Sequence, residues 1–387
     1  MNSDRTQIRR PKSEIRRKSE HRNPNPEECG PRLRWTQPSA ASFLVNGPRI
    51  WPRATAVVRR AAHVGALFGF RISTFLRVSV FGLRIWPQLA RVAVFAVALL
   101  AGSAARADLV FEVTSPYHHI RVLDENGMRL LCFDDATESR MSVQDPLKGH
   151  FEYTDYFHMA WLWNMQITNV LMVGLGGGSA QRAFEHYYPG VTIETVEIDP
   201  AVVTVAQDYF NFKESARQQV HVADGRVFLR RSTARHDLII LDAYVSGRYG
   251  SSIPQHLATK EFFELVRDHL TTNGVVAYNV IGTVNDWHAG IVGAIYRTLK
   301  TVFPQVYLFP ARSSQNVVLV ATRTGVKADF TSLRQRAALL VQMRRVSVPG
   351  FRECLEVFQA LPPPSASRSP ILTDDYAPVE GLAAGGR

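Results

Sequence analysis

The apolar run Val170-Leu-Met-Val173 passes into Gly174-Leu-Gly-Gly-Gly178, and a helical pattern begins at Ser179. Few folds accommodate a strand that enters a helix through four glycines in five residues. Glycine permits positive φ and lets another group come close to the backbone. The helix start that follows presents unpaired N–H groups to a polar or anionic ligand. In this order the unit suits a nucleotide lying across the ends of a sheet, and Gly174, Gly176, Gly177 and Gly178 are candidate cofactor contacts.

From there the chain alternates. Strand patterns cover 169–175, 191–198, 220–222, 237–241 and 274–280, with helical patterns at 179–188, 201–210, from 225, 260–270 and 287–301. Such alternation predicts a mostly parallel sheet covered on both faces. Two strands in succession, 306–308 and 316–321, predict a closing hairpin with one antiparallel strand. Ahead of the sheet, 109–113, 119–123 and 128–133 read as short strands, with Asn126-Gly127 marking a tight turn. The aromatic stretch 153–166 reads as a helix. The expected layout is a small β domain over 108–150, a nucleotide-binding catalytic domain over 151–325 and a C-terminal helical segment and tail over 326–387.

Acids follow the glycines at informative distances. Glu197 ends the second strand, 23 positions after Gly174, where a carboxylate accepts from two ribose hydroxyls. Asp199-Pro200 suits a helix N-cap and first turn. Asp224-Gly225 follows the third strand; Asp224 is either an N-cap or an acceptor for an adenine amino group, and the glycines and Glu197 favour adenosine.

The formal charge of +11 suggests a polyanion partner, but its distribution argues otherwise. Residues 1–107 hold 19 Lys+Arg against 5 Asp+Glu; the remaining 280 hold 26 against 29. No nucleic-acid stripe is expected. Residues 1–90 form a basic extension expected to be disordered, or to be upstream sequence ahead of a later start. The run 91–107, apolar behind Arg84 and Arg91 and ending Ala105-Arg-Ala107, reads as a secretory signal and is the one expected membrane contact. Its use predicts export or tethering; without it the protein is expected in the cytoplasm. Cys29, Cys132 and Cys354 are too scattered for a zinc site or disulfide framework, and no metal is expected.

The stretches Val170–Gly178, Val196-Glu-Ile-Asp199, Ala223-Asp-Gly225 and Leu238-Ile-Ile-Leu-Asp242, with Ser115-Pro-Tyr-His-His-Ile120 and Phe151-Glu-Tyr-Thr-Asp-Tyr156, resemble the spermidine synthase (polyamine aminopropyltransferase) family over about residues 110–325. The resemblance implies a class I S-adenosylmethionine-dependent methyltransferase-like, Rossmann-like α/β sheet and a possible homodimer. It implies decarboxylated S-adenosylmethionine (or S-adenosylmethionine) as donor and a small-molecule amine as acceptor. It makes Asp242 the proton acceptor and Tyr156 a catalytic-pocket tyrosine, with His118, Ser179 and Tyr244 on the substrate. Three positions depart from the family pattern. Ser179 and Val245 stand where Asp is usual, and His118 where Gln is usual, so putrescine is less firmly implied than the nucleotide. Glu152, Asp155, Asp374 and Asp375 are candidate replacements, although 372–378 also reads as a turn and cap. A methyltransferase on the same fold and a non-catalytic envelope module are the alternatives, with a dinucleotide oxidoreductase the weaker fourth.

Overall fold

The computed structural model describes residues 107–247 and 250–385. The expectations for 1–90 and for the signal-like 91–107 lie outside these residues, apart from Ala107. Four antiparallel strands come first, β1 (Asp108–Thr114), β2 (His119–Glu125), β3 (Met128–Phe133) and β4 (Ala136–Ser142), in sequential order. Asn126 and Gly127 both adopt positive φ in the β2–β3 turn. The fourth strand was not expected. Its sequence, ATESRMS, has little apolar content, and Asp134, at φ 52°, turns β3 back into it.

A 3₁₀ helix, Glu152–Leu162, replaces the expected helix at 153–166. The main domain follows as β5 (Asn169–Val173), α1 (Ser179–Tyr187), β6 (Thr192–Glu197), α2 (Pro200–Tyr209), β7 (Gln218–Val222), α3 (Gly225–Arg231) and β8 (His236–Leu241). A small antiparallel hairpin, β9 (Val245–Gly247) with β10 (Gly250–Ser252), stands beyond β8. Then come α4 (Lys260–Asp268), β11 (Leu270–Ile281), α5 (Ala289–Val302), β12 (Gln305–Pro310), β13 (Asn316–Thr322) and α6 (Phe330–Gln342). Short helices α7 (Phe351–Cys354) and α8 (Val379–Ala383) complete the described chain.

The seven-stranded sheet has the order β12-β13-β11-β8-β5-β6-β7. Only β13 runs against the others, as the closing hairpin required. This is the class I methyltransferase-like fold with a small antiparallel β domain. Alternate residues of each central strand feed opposite cores: Leu171, Ile239 and Val276 on one face, Met172, Ile240 and Ala277 on the other. Burial on both faces explains why these strands read as continuous apolar runs. The β domain sits on α2, where Ile120, Val122 and Leu131 pack with Val202, Val205 and Phe210. Asp199 accepts from Ala201 N at 2.8 Å and Pro200 opens α2, the predicted cap. No helix among the described residues is long and apolar enough to cross a membrane.

One glycine fixes the sheet's working edge. Gly174 leaves β5 at φ 101°, and a Cβ there would overlap the backbone carbonyl of Asp242. Gly174→Ala should therefore lower stability by about 2–4 kcal/mol, combining left-handed strain with backbone overlap. Gly190→Ala, whose Cβ meets nothing within 4 Å, should stay within about 0.5 kcal/mol of the parent in urea denaturation.

Candidate active site

The cleft opens where β5, β6 and β8 end, the switch-point position of an open α/β sheet. Its larger lobe contains about 840 Å³ of open space and is lined by Gly174, Leu175, Gly176, Glu197, Asp224, Gly225, His118 and Tyr244, and by Pro254, His256 and Leu257. A smaller lobe runs toward Arg140, Phe151 and Ser179. Asp242, Glu138 and Tyr153 line both lobes and stand at their junction.

Glu197 is buried and receives two backbone donors, Leu175 N on Oε2 at 2.9 Å and Asp199 N on Oε1 at 3.0 Å. Burial raises its pKa against these hydrogen bonds. The bonds fix the carboxylate plane, and each oxygen retains acceptor capacity toward a hydroxyl. Asp224 is the N-cap weighed for it, Oδ1 accepting from Val227 N at 2.8 Å, and the residue also lines the lobe. Gly225 lets α3 approach β5, since a Cβ would strike Val173. His118 is buried and stacks on Phe133 with ring centroids 4.2 Å apart; burial lowers its pKa.

Of the glycines, Gly174 and Gly176 face the cleft. Gly177 and Gly178 do not line either lobe. Gly177 N donates to Ser139 Oγ at 2.9 Å, and the space beside Gly178 is filled by Phe212. These two are packing positions of the turn.

Asp242 follows the last residue of β8. Its Oδ1 accepts from Asn279 Nδ2 at 2.9 Å and its Oδ2 from Tyr153 Oη at 3.3 Å. Burial drives its pKa from 3.8 up to about 7; the two hydrogen bonds oppose this rise and the nearby Glu138 charge adds to it. Glu138 comes from β4, is bonded by the Ser251 hydroxyl, and is likewise raised by burial. Among the described residues, no Lys, Arg or His forms an ion pair with either carboxyl.

Tyr156 is the residue the structure moves away from this chemistry. It is fully buried, its hydroxyl donates to Glu152, and it lines neither lobe. Three residues of 3₁₀ helix advance about 6 Å along the axis, so Tyr153 meets Asp242 and Tyr156 does not. Tyr244 lines the larger lobe with its hydroxyl committed to Asn279 O at 2.7 Å. The suggested replacement acids are engaged elsewhere or lie outside the cleft. Glu152 accepts from Arg312 N and Ser313 N, Asp155 pairs with His150, Asp374 pairs with Arg226, and Asp375 is exposed.

Glu138, Tyr153, Asn279 and His256 were missed by sequence reasoning. Asn279 did leave a signal, a lone amide within the apolar run Val275–Ile281. Glu138 left none, because its strand was itself unrecognised.

Residues 150–322 match the family model described as the spermine/spermidine synthase domain. The chain is 30% identical over 295 residues to a polyamine aminopropyltransferase of Vibrio vulnificus, covering 72% of this chain and 93% of that protein. It is 31% identical over 190 residues to an eEF1A lysine and N-terminal methyltransferase of Xenopus laevis, covering 48% of this chain and 27% of that one. A crystal structure of a probable spermidine synthase from Corynebacterium glutamicum aligns at TM-score 0.49 and 19% identity, covering 59% and 86% of the two chains. The chain belongs to the spermidine synthase, or polyamine aminopropyltransferase, family.

The Asp242 carboxyl has a stability signature. The folded state holds its proton up to about pH 7 and the unfolded chain only to about 3.8, so Asp242 costs stability progressively as pH rises between these values. Asp242→Asn should melt higher than the parent, with the gap widening from about pH 4 to 7 and flat above. Thermal melts across this range check it; a gap independent of pH would contradict the buried-carboxyl assignment.

Proposed function

We propose that this protein transfers an aminopropyl group from decarboxylated S-adenosylmethionine to the nitrogen of a small amine. The observation that carries the reading is Asp242, a buried carboxyl at the junction of the two lobes, held by Asn279 and Tyr153 with its pKa near 7. The residues suit the donor. Glu197 presents a fixed carboxylate for ribose hydroxyls, Asp224 an acceptor toward an adenine amino group, and Glu138 with Asp242 a negative junction for a cationic tail. Bound there, the donor supplies a carbon activated by positively charged sulfur.

The chain's own task is to manage the acceptor's proton and place its lone pair. An alkylammonium has a pKa near that of Lys, about 10.4, and is not nucleophilic until it loses a proton. Ionised Asp242 attracts the ammonium and accepts that proton. Tyr153 and Asn279 hold the carboxylate's orientation, so the freed lone pair points along one direction. The C–N bond then forms as the C–S bond breaks. The electron pair passes to sulfur, which leaves as a neutral thioether. Where the acceptor carries a second ammonium, Glu138 faces that charge.

A second reading is methyl transfer, supported by Arg140 beside Ser179 in the smaller lobe, a cation placed to meet the carboxylate of intact S-adenosylmethionine. Calorimetry of both donors separates the two, with tighter binding of the decarboxylated form expected and preference for the intact form favouring methyl transfer.

Asp242→Asn should reduce kcat by about 10²–10⁴-fold, a larger effect than its loss of donor affinity, since the ribose and base contacts remain. Glu138→Gln should raise the acceptor KM by about tenfold, the loss of one charge-assisted contact, with a smaller effect on kcat. The parent's kcat/KM should rise with pH through an acid limb near 7. Steady-state kinetics with an amine panel test these effects; an Asp242→Asn enzyme of full activity would remove Asp242 from the mechanism.

A further inference from the structure

Asp224 has two oxygens, and only one is needed to cap α3. The other, Oδ2, accepts from His256 Nε2 at 2.8 Å. With Oδ1 held by Val227 N and Oδ2 by His256, each carboxylate oxygen has a partner that sets its orientation in the wall of the larger lobe. His256 lies on the short 3₁₀ turn Gln255–Leu257, behind Pro254, and all three of Pro254, His256 and Leu257 line that lobe beside Asp224.

Such a turn has little rigidity of its own, and here it is held from outside the cleft. Arg226 Nη1 donates to the backbone carbonyl of His256 at 3.1 Å. The same guanidinium, buried, makes a two-point pair with Asp374, each contact 2.7 Å. Asp374 also accepts from the Thr259 hydroxyl at 2.7 Å, and its own N–H donates to Glu261 at 3.0 Å. The C-terminal turn, closed by the Thr373–Tyr376 bridge, thus reaches the nucleotide wall through Arg226 and His256.

We propose that His256 is a positioning residue for the donor's base: it holds Asp224 where the carboxylate accepts from an exocyclic amino group, and the Arg226–Asp374 pair holds His256 in place. The proposal rests on the nucleoside reading of this lobe. A carboxylate so fixed favours adenine, which offers an N–H donor there, over the 6-oxo base, which offers a second acceptor. Released, Asp224 swings or is hydrated, and discrimination falls while the stacking and ribose contacts remain.

The test is calorimetric titration of the full chain with 5′-methylthioadenosine and its 6-oxo counterpart, 5′-methylthioinosine. The parent should prefer the amino base by about tenfold or more, one charge-assisted hydrogen bond. His256→Ala, and His256→Phe, which keeps a planar ring but removes the N–H, should each lose most of that preference. His256→Gln, whose amide N–H has similar reach, should recover it. Asp374→Asn, outside the cleft, should fall between. Unchanged discrimination in both His256→Ala and His256→Phe would overturn the proposal, as would parallel loss of affinity for both nucleosides with no rescue by Gln. Failure of the parent itself to bind either nucleoside would instead overturn the nucleotide reading beneath it.

Discussion

The hydrogen bond from Asn279 to Asp242 ties the chemistry of this protein to the register of its sheet. Leu241 pairs with Tyr278 across β8 and β11, so the next residues along, Asp242 and Asn279, fall side by side at the strand ends. A slip of one residue would turn every side chain of a strand to the other face and separate the two. An amide inside an otherwise apolar strand costs free energy unless both its ends are bonded. Here Nδ2 donates to Asp242 and Oδ1 accepts from Asn316 Nδ2 at 3.1 Å. Asn316 opens the antiparallel strand β13, so the closing hairpin supports the carboxyl as well as finishing the sheet. Gly174 completes the arrangement by leaving room for the Asp242 backbone.

The small β domain completes the cleft. Its Ser139 receives Gly177 N, its Ser115 hydroxyl bonds Asp199 at the start of α2, and its apolar face packs on Val202, Val205 and Phe210. These contacts join it to the glycine turn and to the helix after Glu197, the two elements that form the nucleotide wall. Glu138 and His118 are therefore placed in the cleft by the same packing that holds the module down.

The main sheet was legible because burial on both faces leaves apolar runs, and because the glycines and the acids at 197, 224 and 242 sit at strand ends where chain order and spatial order agree. The missed features share the opposite property. Strand β4 carries polar residues, among them Glu138 and Ser139, whose place is the cleft, so it has no apolar face to betray it. Tyr153 was not singled out; it lies three residues before Tyr156, and the 3₁₀ rise of about 6 Å separates the two along the axis. His256 contacts Asp224, 32 positions back, and its carbonyl is held by Arg226, 30 positions back, which itself pairs with Asp374, 148 positions further along the chain. No local pattern encodes such pairings.

The same distinction governs the charge of the pocket. Counted along the chain, two acids expected from the family pattern are absent: Ser179 opens α1 beside Arg182, and Val245 is a partly exposed residue of the small hairpin. Counted in space, the junction of the lobes holds the retained Asp242 just beyond β8 and a further carboxyl, Glu138, from β4. Burial raises the pKa of both, because desolvation disfavours the charged form of a carboxyl. An arriving cation reverses that balance, since an opposite charge within a few ångström favours the ionised form. Ionisation of the pocket is thereby coupled to occupancy by a positively charged guest, a coupling that a neutral molecule of the same shape would not engage.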